Sequence, residues 1–375
     1  MQVHVAKESN IPDHCRAYAL SDPNDKDFQS ICAHDHLGSC DRCELLASVL
    51  DDIGQAIQKM PSTNIGSDII EELTFVEIQA KQHILASKAH LLRCINQDEA
   101  RLDVIDKLDE SSVLLVQDWA MKFLPRKYRE SQTDWFGKRG LPWHITVALR
   151  KAEDDQELQM MTFVHVFQSC TQDSCAVLSI MKDVIGKLKS RLPQLESVFY
   201  RQDNAGCYHC GATIVGASIA GRCNGVLVKR MDFSDPQGGK GACDRKAASI
   251  KSHIRIHVDE GNNVETAKEM VNAIQSKGGV PGVNVTLCDT HVQKSSLHVK
   301  LEGVSLISNI EYSGESLHLW RAYGISPGKN MPLAKLDVAQ VAEVPNVTEC
   351  HSKPNKDISE GKFLKVKPRA QCSLN

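Results

Sequence analysis

Three aspartates in this 375-residue chain combine a residue type and a local setting that suit metal-dependent chemistry. Asp118 follows an apolar run in VLLVQDWAMKF, and Asp203 follows another in VFYRQDNAGCYHC. Asp244 lies in GGKGACDRKAASIK, where a glycine-rich loop is expected to open a helix. Carboxylates at the ends of neighbouring strands, with a third on a following helix, suit a pair of hard cations such as Mg²⁺ or Mn²⁺ that act on a phosphodiester.

Each acid also has a purely structural interpretation. Asp118 could cap a turn at a strand end, Asp203 could form an Asx turn with the next residue, and Asp244 could cap its helix. Glu260 is a rival for the third acidic position, but it follows a predicted helix end in HVDEGNN, where an acid is commonly just solvated. The shorter spacing from Asp203 to Asp244 also suits a single helix–strand–helix connection better.

A second kind of metal site is predicted near the N-terminus, where residues 32–43 read CAHDHLGSCDRC. The two-residue gap between its last two cysteines is typical of a zinc knuckle. The favoured zinc ligands are Cys32, His36, Cys40 and Cys43. His34 is an alternative to His36, and the other possibilities are a site completed by His14 or Cys15, or a reduced loop without metal.

A further pair, Cys207 and Cys210 with His209 between them, lies beside Asp203. It could bind zinc together with Cys243, but packing behind the acidic site is the favoured interpretation.

Composition bounds the function. The hydrophobic fraction is 42% and the charged fraction 24%, which is typical of a globular protein, and no apolar run reaches the length of a membrane span. No secretory segment is recognised, so we expect an intracellular protein with no membrane partner. We also expect no small-molecule substrate. A net charge of −3 argues against a protein that binds polyanions over a broadly basic surface. It does not exclude a phosphodiester-cutting site, because a local basic stripe can serve such a site.

The pattern predicts a long helix over 67–108 and then an alternation of strands and helices. Strands are predicted at 113–117, 141–150, 158–168, 197–202 and 225–234. Helices are predicted at 174–192, 212–223, about 242–257 and 264–276. Short strands are expected in VNVTLC, HVKLEGVSLI and LHLWRAYGI.

This order of elements is that of the ribonuclease H-like fold, an α/β architecture with a mixed five-stranded sheet and helices on both faces. In that fold the first and fourth strands are neighbours, which would bring Asp118 and Asp203 together. The predicted organisation is a Cys/His-rich zinc-binding segment (1–66), a long helical region (67–110), the ribonuclease H-like domain (111–278), a small extension (279–345) and a disordered tail (346–375).

Residues 112–275 resemble the catalytic domain of cut-and-paste DNA transposases and retroviral-type integrases, with Mutator-like transposases and host proteins derived from them as the suggested relatives. The resemblance rests on VLLVQDWAMKF, on FYRQDNAGCYH and on GGKGACDRKAASIK. It implies that Asp118 bridges two Mg²⁺ or Mn²⁺ ions, that Asp203 holds one of them and that Asp244 holds the other. It also implies a DNA substrate, a nuclear location and a homo-oligomer as a candidate assembly.

The chain departs from the family pattern in having Asp244 where glutamate is more common and in showing no separate site-specific DNA-binding domain. The alternative function is therefore a domesticated, non-catalytic DNA- or chromatin-interaction protein that keeps the fold. A structure-specific exonuclease or ribonuclease is a further option. Candidate phosphate contacts are Lys122, Arg126, Lys127, Arg129, Lys138 and Arg139 after the first acid, and Lys240, Arg245, Lys246, Lys251 and Arg255 around the third.

Overall fold

A computed structural model describes residues 5–60, 66–151, 157–235, 241–288, 299–336, 344, 346 and 363–365. The chain divides into two compact units. The first unit contains Met1–Glu99 and Trp320–Lys329, and the second contains Ala100–Leu319 and Asn330–Ser373.

The first unit is largely helical. A 3-10 helix at Pro12–His14 leads into the short helix α1 (Arg16–Ala19), which is followed by α2 (Asp41–Gln58) and α3 (Ser67–Lys107). The observed α3 confirms the long helix predicted from its periodicity. Its 41 residues carry too many charges for a membrane span, and no other described helix is long and apolar enough for one.

The second unit is a mixed α/β structure built on one sheet. Its first five strands are β1 (Ser112–Phe123), β2 (Leu141–Lys151), β3 (Leu158–Phe167), β4 (Ser197–Asp203) and β5 (Leu227–Ser234). β1 pairs with β2 antiparallel and with β4 parallel, β2 pairs with β3 antiparallel, and β4 pairs with β5 parallel. The predicted adjacency of the first and fourth strands is therefore confirmed.

The sheet is larger than the five strands predicted. Five more strands join it in the described residues: β6 (Val283–Cys288), β7 (Asn309–Ser313), β8 (Ser316–Trp320), β9 (Lys329–Pro332) and β10 (Leu364–Lys365). The strand order is β10-β3-β2-β1-β4-β5-β7-β8-β9, and β6 also pairs with β3. β6 and β10 pair with β3, and β7 pairs with β5. The added strands therefore cover both edges of the predicted five-stranded sheet, whose unpaired backbone groups would otherwise be open to other chains.

Two details of the C-terminal prediction are corrected. The described part of HVKLEGVSLI contains a 3-10 helix at Val304–Leu306 rather than a strand. Most of the predicted tail lies outside the described residues, but Leu364–Lys365 forms a strand on β3.

Helices cover both faces of the sheet in the second unit. A short helix, α4 (Gln132–Trp135), lies between β1 and β2, and the longer helices are α5 (Ser174–Arg191), α6 (Gly211–Arg222), α7 (Ala242–Asp259) and α8 (Ala267–Gln275). On one face, His165 of β3 is hydrogen bonded to Asp183 of α5 at 2.8 Å. On the other, α7 and α8 pack over Trp143, Ile145 and Val164 in a continuous apolar core. Period-two alternation along β2 and β3 accounts for both layers.

Candidate active site

Two of the three acids follow matching positions on neighbouring parallel strands. Gln117 of β1 is the pairing partner of Gln202 of β4, and Asp118 and Asp203 come directly after them. Adjacent strands lie about 4.8 Å apart, and side chains alternate between the two faces of a sheet. The two aspartates therefore project from the same face, opposite to the two glutamines.

Hydrogen bonds of the two glutamines, on the opposite face of the sheet, fix this register. Gln202 Nε2 donates to Gln117 Oε1 at 2.8 Å, and Gln117 Nε2 donates to Thr146 Oγ1 at 3.1 Å, all three residues being buried. A one-residue slip would break this chain of amides and turn one carboxylate to the other face. The sequence signal is the dipeptide Gln–Asp, which closes both apolar runs and which the sequence analysis did not use.

Asp244 reaches the same face from the first turn of α7. Its neighbour Cys243 is 4% exposed, and the Cys243 thiol donates to the carbonyl oxygen of Val116 at 3.3 Å, which anchors the start of α7 on β1. The Asp244 side chain also accepts from the backbone N–H of Gly241 at 3.0 Å, so the predicted capping role is present as well. Lys240, in the preceding glycine-rich loop, lies outside the described residues.

Burial and the negative charges of Asp203 and Asp244 act on the pKa of Asp118. Burial raises the pKa of Asp118 to about 7, and the negative charges of Asp203 and Asp244 add to the rise. A hydrogen bond from the Trp119 backbone opposes it. A carboxyl group with this pKa is about half protonated at neutral pH, which is what a cluster of buried like charges produces when no cation balances it.

Asp203 combines the predicted turn with partial burial. Its Oδ1 accepts from the backbone N–H of Ala205 at 3.0 Å, which is the Asx-turn contact. Burial raises the pKa of Asp203, and this hydrogen bond lowers it. One carboxylate oxygen is therefore used locally, while Oδ2 makes no hydrogen bond within the part of the chain that the structure describes.

Glu260, the rival third acid, lies at the other end of the same helix. It is the C-cap residue of α7, and its carboxylate is ion-paired with Lys277. At a rise of 1.5 Å per residue, Asp244 and Glu260 are about 24 Å apart along the helix axis. The structure therefore groups Asp118 and Asp203 with Asp244 and not with Glu260.

A cleft of about 830 Å³ lies at the far end of the β1–β2 hairpin. Its charged lining residues are Lys122, Lys127, Lys138, Arg139, Glu130, Asp134 and Glu265. Lys127 pairs with Asp134 at 3.1 Å, and Lys138 pairs with Glu130. Lys122 and Arg139 have no ion-pair partner in the described part of the chain. Of the basic residues predicted after the first acid, these two line the cleft without an ion pair to a described residue.

The four residues predicted as one zinc site are divided between two groups in the first unit. The ligand atoms within each group lie within 4.8 Å of one another. One group is Cys15, Cys32, His34 and His36, and the other is His14, Cys40 and Cys43. Both are side-chain sets that could hold a metal such as zinc. The predicted Cys32–His36 and Cys40–Cys43 pairs are kept. Cys15 and His34 complete the first group and His14 completes the second, and all three were only alternatives to the favoured ligand set.

The pair beside Asp203 makes no such group among the described residues. Cys210 contacts the hydroxyl of Thr213 at 3.4 Å, and the ring of His209 stacks on Phe233 at 4.1 Å. Burial raises the pKa of Cys207 to about 12, and the charge of Asp203 contributes to the same shift. These contacts agree with the packing role that was predicted.

A sequence model of one protein family, described as a domain of unknown function (DUF8701), matches residues 97–315, which is more than half of the chain. The chain belongs to the DUF8701 family. The DUF8701 domain extends from the C-terminal part of α3 to the turn before β8, so it contains all three aspartates and the cleft. None of the curated proteins matches this chain.

Proposed function

We propose that the DUF8701 domain of this chain is a ribonuclease H-like, transposase- or integrase-type metal-dependent DNA nuclease or strand transferase. The observation that supports the proposal most strongly is that Asp118 and Asp203 follow paired residues on neighbouring strands, and that the charges of Asp203 and Asp244, after burial, raise the pKa of Asp118. The order β3-β2-β1-β4-β5, with β2 antiparallel to its neighbours, also supports a ribonuclease H-like core.

The donor set suits Mg²⁺ or Mn²⁺. Hard divalent cations prefer oxygen ligands and take only a few carboxylates from the protein. All three side chains offer carboxylate oxygens, and the charges of Asp203 and Asp244 add to burial in raising the pKa of Asp118. Asp118 would be shared by two ions, Asp203 would hold one of them and Asp244 the other. Such ions, when bound, stabilise the charge that develops on the attacking and leaving oxygens of a phosphodiester.

The surrounding residues would position the substrate. The amides of Gln117 and Gln202 keep the two strand acids in register, and the Cys243 contact holds α7 against β1. Lys122 lies four residues beyond Asp118 on β1, so the strand rise places it about 13 Å farther along. Lys122 and Arg139 could hold the phosphate backbone on one side of the cut. A DNA substrate would imply a nuclear location.

Nicking of supercoiled plasmid DNA in Mg²⁺ or Mn²⁺ tests the proposal. We expect Asp118→Asn and Asp203→Asn to reduce nicking at least about 100-fold, because each removes an ionic ligand. Calorimetric titration with Mn²⁺ should show the same loss of binding. Glu260→Gln is the matched control, since it removes an acid from the other end of α7 and should leave the rate unchanged. Equal nicking by wild type and Asp118→Asn would contradict the proposal.

The alternative is a domesticated DNA- or chromatin-interaction protein without catalysis. It is favoured by the net charge of −3 and by the acids that already pair with Lys127 and Lys138 in the cleft. DNA binding that is weakened in Lys122→Ala, without metal-dependent nicking by the wild type, would support this alternative.

A further inference from the structure

The two Cys/His groups of the first unit have the dimensions of bound zinc ligands. For tetrahedral zinc with Zn–S about 2.3 Å and Zn–N about 2.0 Å, two sulfur ligands lie about 3.8 Å apart and a sulfur and a nitrogen about 3.5 Å apart. In the first group, Cys15 Sγ lies 3.9 Å from Cys32 Sγ and 3.4 Å from His34 Nε2. In the second, His14 Nε2 lies 3.4 Å from Cys43 Sγ.

An unsatisfied buried nitrogen points to an ion in the first group. Nε2 of His36 is buried and has no hydrogen-bond partner among the described residues. The His36 and His34 rings lie 4.7 Å apart between centroids, so both can present a nitrogen to one centre. A buried imidazole nitrogen without a partner is costly, and coordination would satisfy it.

The segment that carries these groups has little apolar core and little regular structure. Over residues 5–40 its regular structure is the 3-10 helix at Pro12–His14 and the four residues of α1, and its buried apolar residues are Cys15 and Phe28. Segments with so little apolar core are usually held by disulfides or metals. The described cysteines are all free thiols, so of these two kinds of cross-link we infer that the segment uses a metal.

We propose that residues 14–43 bind two zinc ions at separate sites linked through the His14–Cys15 peptide bond. The first site has four ligands, namely Cys15, Cys32, His34 and His36, and is closed. The second has three ligands among the described residues, namely His14, Cys40 and Cys43.

The second site also has a cation beside it. Lys88 Nζ lies 3.5 Å from Cys43 Sγ and is ion-paired with Asp13. A positive charge next to a thiolate competes with Zn²⁺ for that ligand. With one ligand fewer and a neighbouring ammonium group, the second site should release zinc to a chelator faster than the first, by about tenfold or more.

Elemental analysis of the full-length protein, purified under reducing conditions with zinc supplied, gives the first test. We expect two zinc ions per chain in the wild type, one in Cys43→Ser and one in Cys32→Ser. Cys223→Ser is the control, because Cys223 is an exposed thiol outside both groups, and this variant should keep two.

Two measurements on the wild type do not depend on the folding of variants. Zinc release to a colorimetric chelator should have two phases of equal amplitude. Titration of the metal-free protein with Co²⁺ should increase the thiolate-to-cobalt charge-transfer band over two equivalents. One zinc per chain that is lost in both variants, with a single release phase, would overturn the proposal in favour of one mixed site. A zinc-free protein with a Cys15–Cys32 disulfide would overturn it as well.

Discussion

The DUF8701 domain and the N-terminal segment, residues 5–43, both bring together ligand-type side chains, but their scaffolds differ. In the domain, the acids sit on strands and a helix that are already fixed by a large apolar core, which includes Trp143, Ile145 and Ile250. In the N-terminal segment the buried apolar residues are Cys15 and Phe28. The first scaffold has an apolar core of its own, whereas the second, on our proposal, depends on bound zinc.

This difference predicts opposite responses to an empty site. The sheet holds the carboxylates in a buried setting. Without a cation, burial and the charges of the other two acids raise the pKa of Asp118, which then takes up a proton near neutral pH. The thiols and imidazoles of the N-terminal segment have no comparable framework, so loss of the ion should release the chain itself. The domain tolerates an empty site at an electrostatic cost, whereas the segment should lose its structure.

Removal of zinc should have the largest effect and should be confined to one region. We expect a strong chelator to increase proteolytic cleavage within residues 5–43 at least about tenfold, because ligand binding and local folding are coupled there. Cleavage within residues 112–288 should not change. Limited proteolysis read by mass spectrometry measures both regions in one sample, and equal protection of the N-terminal segment with and without chelator would remove the contrast.

Truncation of the domain core should give the converse result. Trp143 is fully buried, and its indole nitrogen donates to the carbonyl oxygen of Met121 at 2.9 Å. Trp143→Ala should therefore lower the free energy of unfolding by about 3–5 kcal/mol while zinc content stays the same. Denaturant unfolding and elemental analysis give the two readings.

Trp135→Ala is the matched control for that substitution. Trp135 is 57% exposed and its ring lies 5.1 Å from the Lys138 ammonium group, so its loss should cost less than about 1 kcal/mol. Similar losses for the two tryptophans would mean that the core is not the source of the domain's stability.

The sequence pattern predicted the domain better than the N-terminal segment, for a physical reason. Long apolar runs have the strand or helix periods that the folded chain shows, so β2–β5 and α5–α8 were placed with small errors at their ends. β1 continues to Phe123 instead of ending at Gln117, so Asp118 lies inside the strand and does not cap a turn at its end. The adjacency of Asp118 and Asp203 followed from strand order alone. Among the added strands, β6 and β8 were expected as short strands but not as parts of this sheet, and β7, β9 and β10 were not expected because short edge strands carry a weak periodic signal.

The ligand groups of the N-terminal segment could not be assigned in the same way. Spacing within CAHDHLGSCDRC indicates a metal site, but the partition of its ligands depends on a distant stretch of chain that has no periodicity. His14 and Cys15 point to different groups although they are adjacent, which only the three-dimensional path of the chain decides.

The acidic site should show its electrostatic cost as a pH dependence. Asp118 has a pKa of about 7 in the folded protein, against 3.8 for an ordinary aspartate. Between these values the folded state binds more protons than the unfolded state, so stability falls as pH rises from about 4 to about 7. Asp118→Asn removes the charge, so at pH 8 without divalent metal it should be more stable than the wild type by about 1–4 kcal/mol. The two proteins should converge at pH 4.

Asp134→Asn should show the opposite sign. The hydroxyl of Ser131 and the ammonium group of Lys127 hold the pKa of Asp134 below its usual value. Its contribution is therefore present at neutral pH and is lost as pH falls through the folded pKa, so the variant should be less stable than the wild type at pH 8. Chemical denaturation across this pH range separates the two cases. If Asp118→Asn and the wild type had the same free energy of unfolding at every pH, the raised pKa of Asp118 would be contradicted.

The smallest expected effect concerns a helix cap in the domain, and it sharpens the same contrast. The Thr266 hydroxyl accepts from the backbone N–H of Glu269 at 3.2 Å, and the Glu269 carboxylate accepts from the Thr266 N–H at 2.9 Å. Thr266→Ala removes one half of this reciprocal cap and should lower the free energy of unfolding by about 1 kcal/mol, whereas Thr266→Ser keeps the hydroxyl and should cost much less. Because α8 packs on the apolar core of the domain, the loss should be the same with and without a zinc chelator. A loss that changed on chelation would mean that the domain, too, draws its stability from the metal.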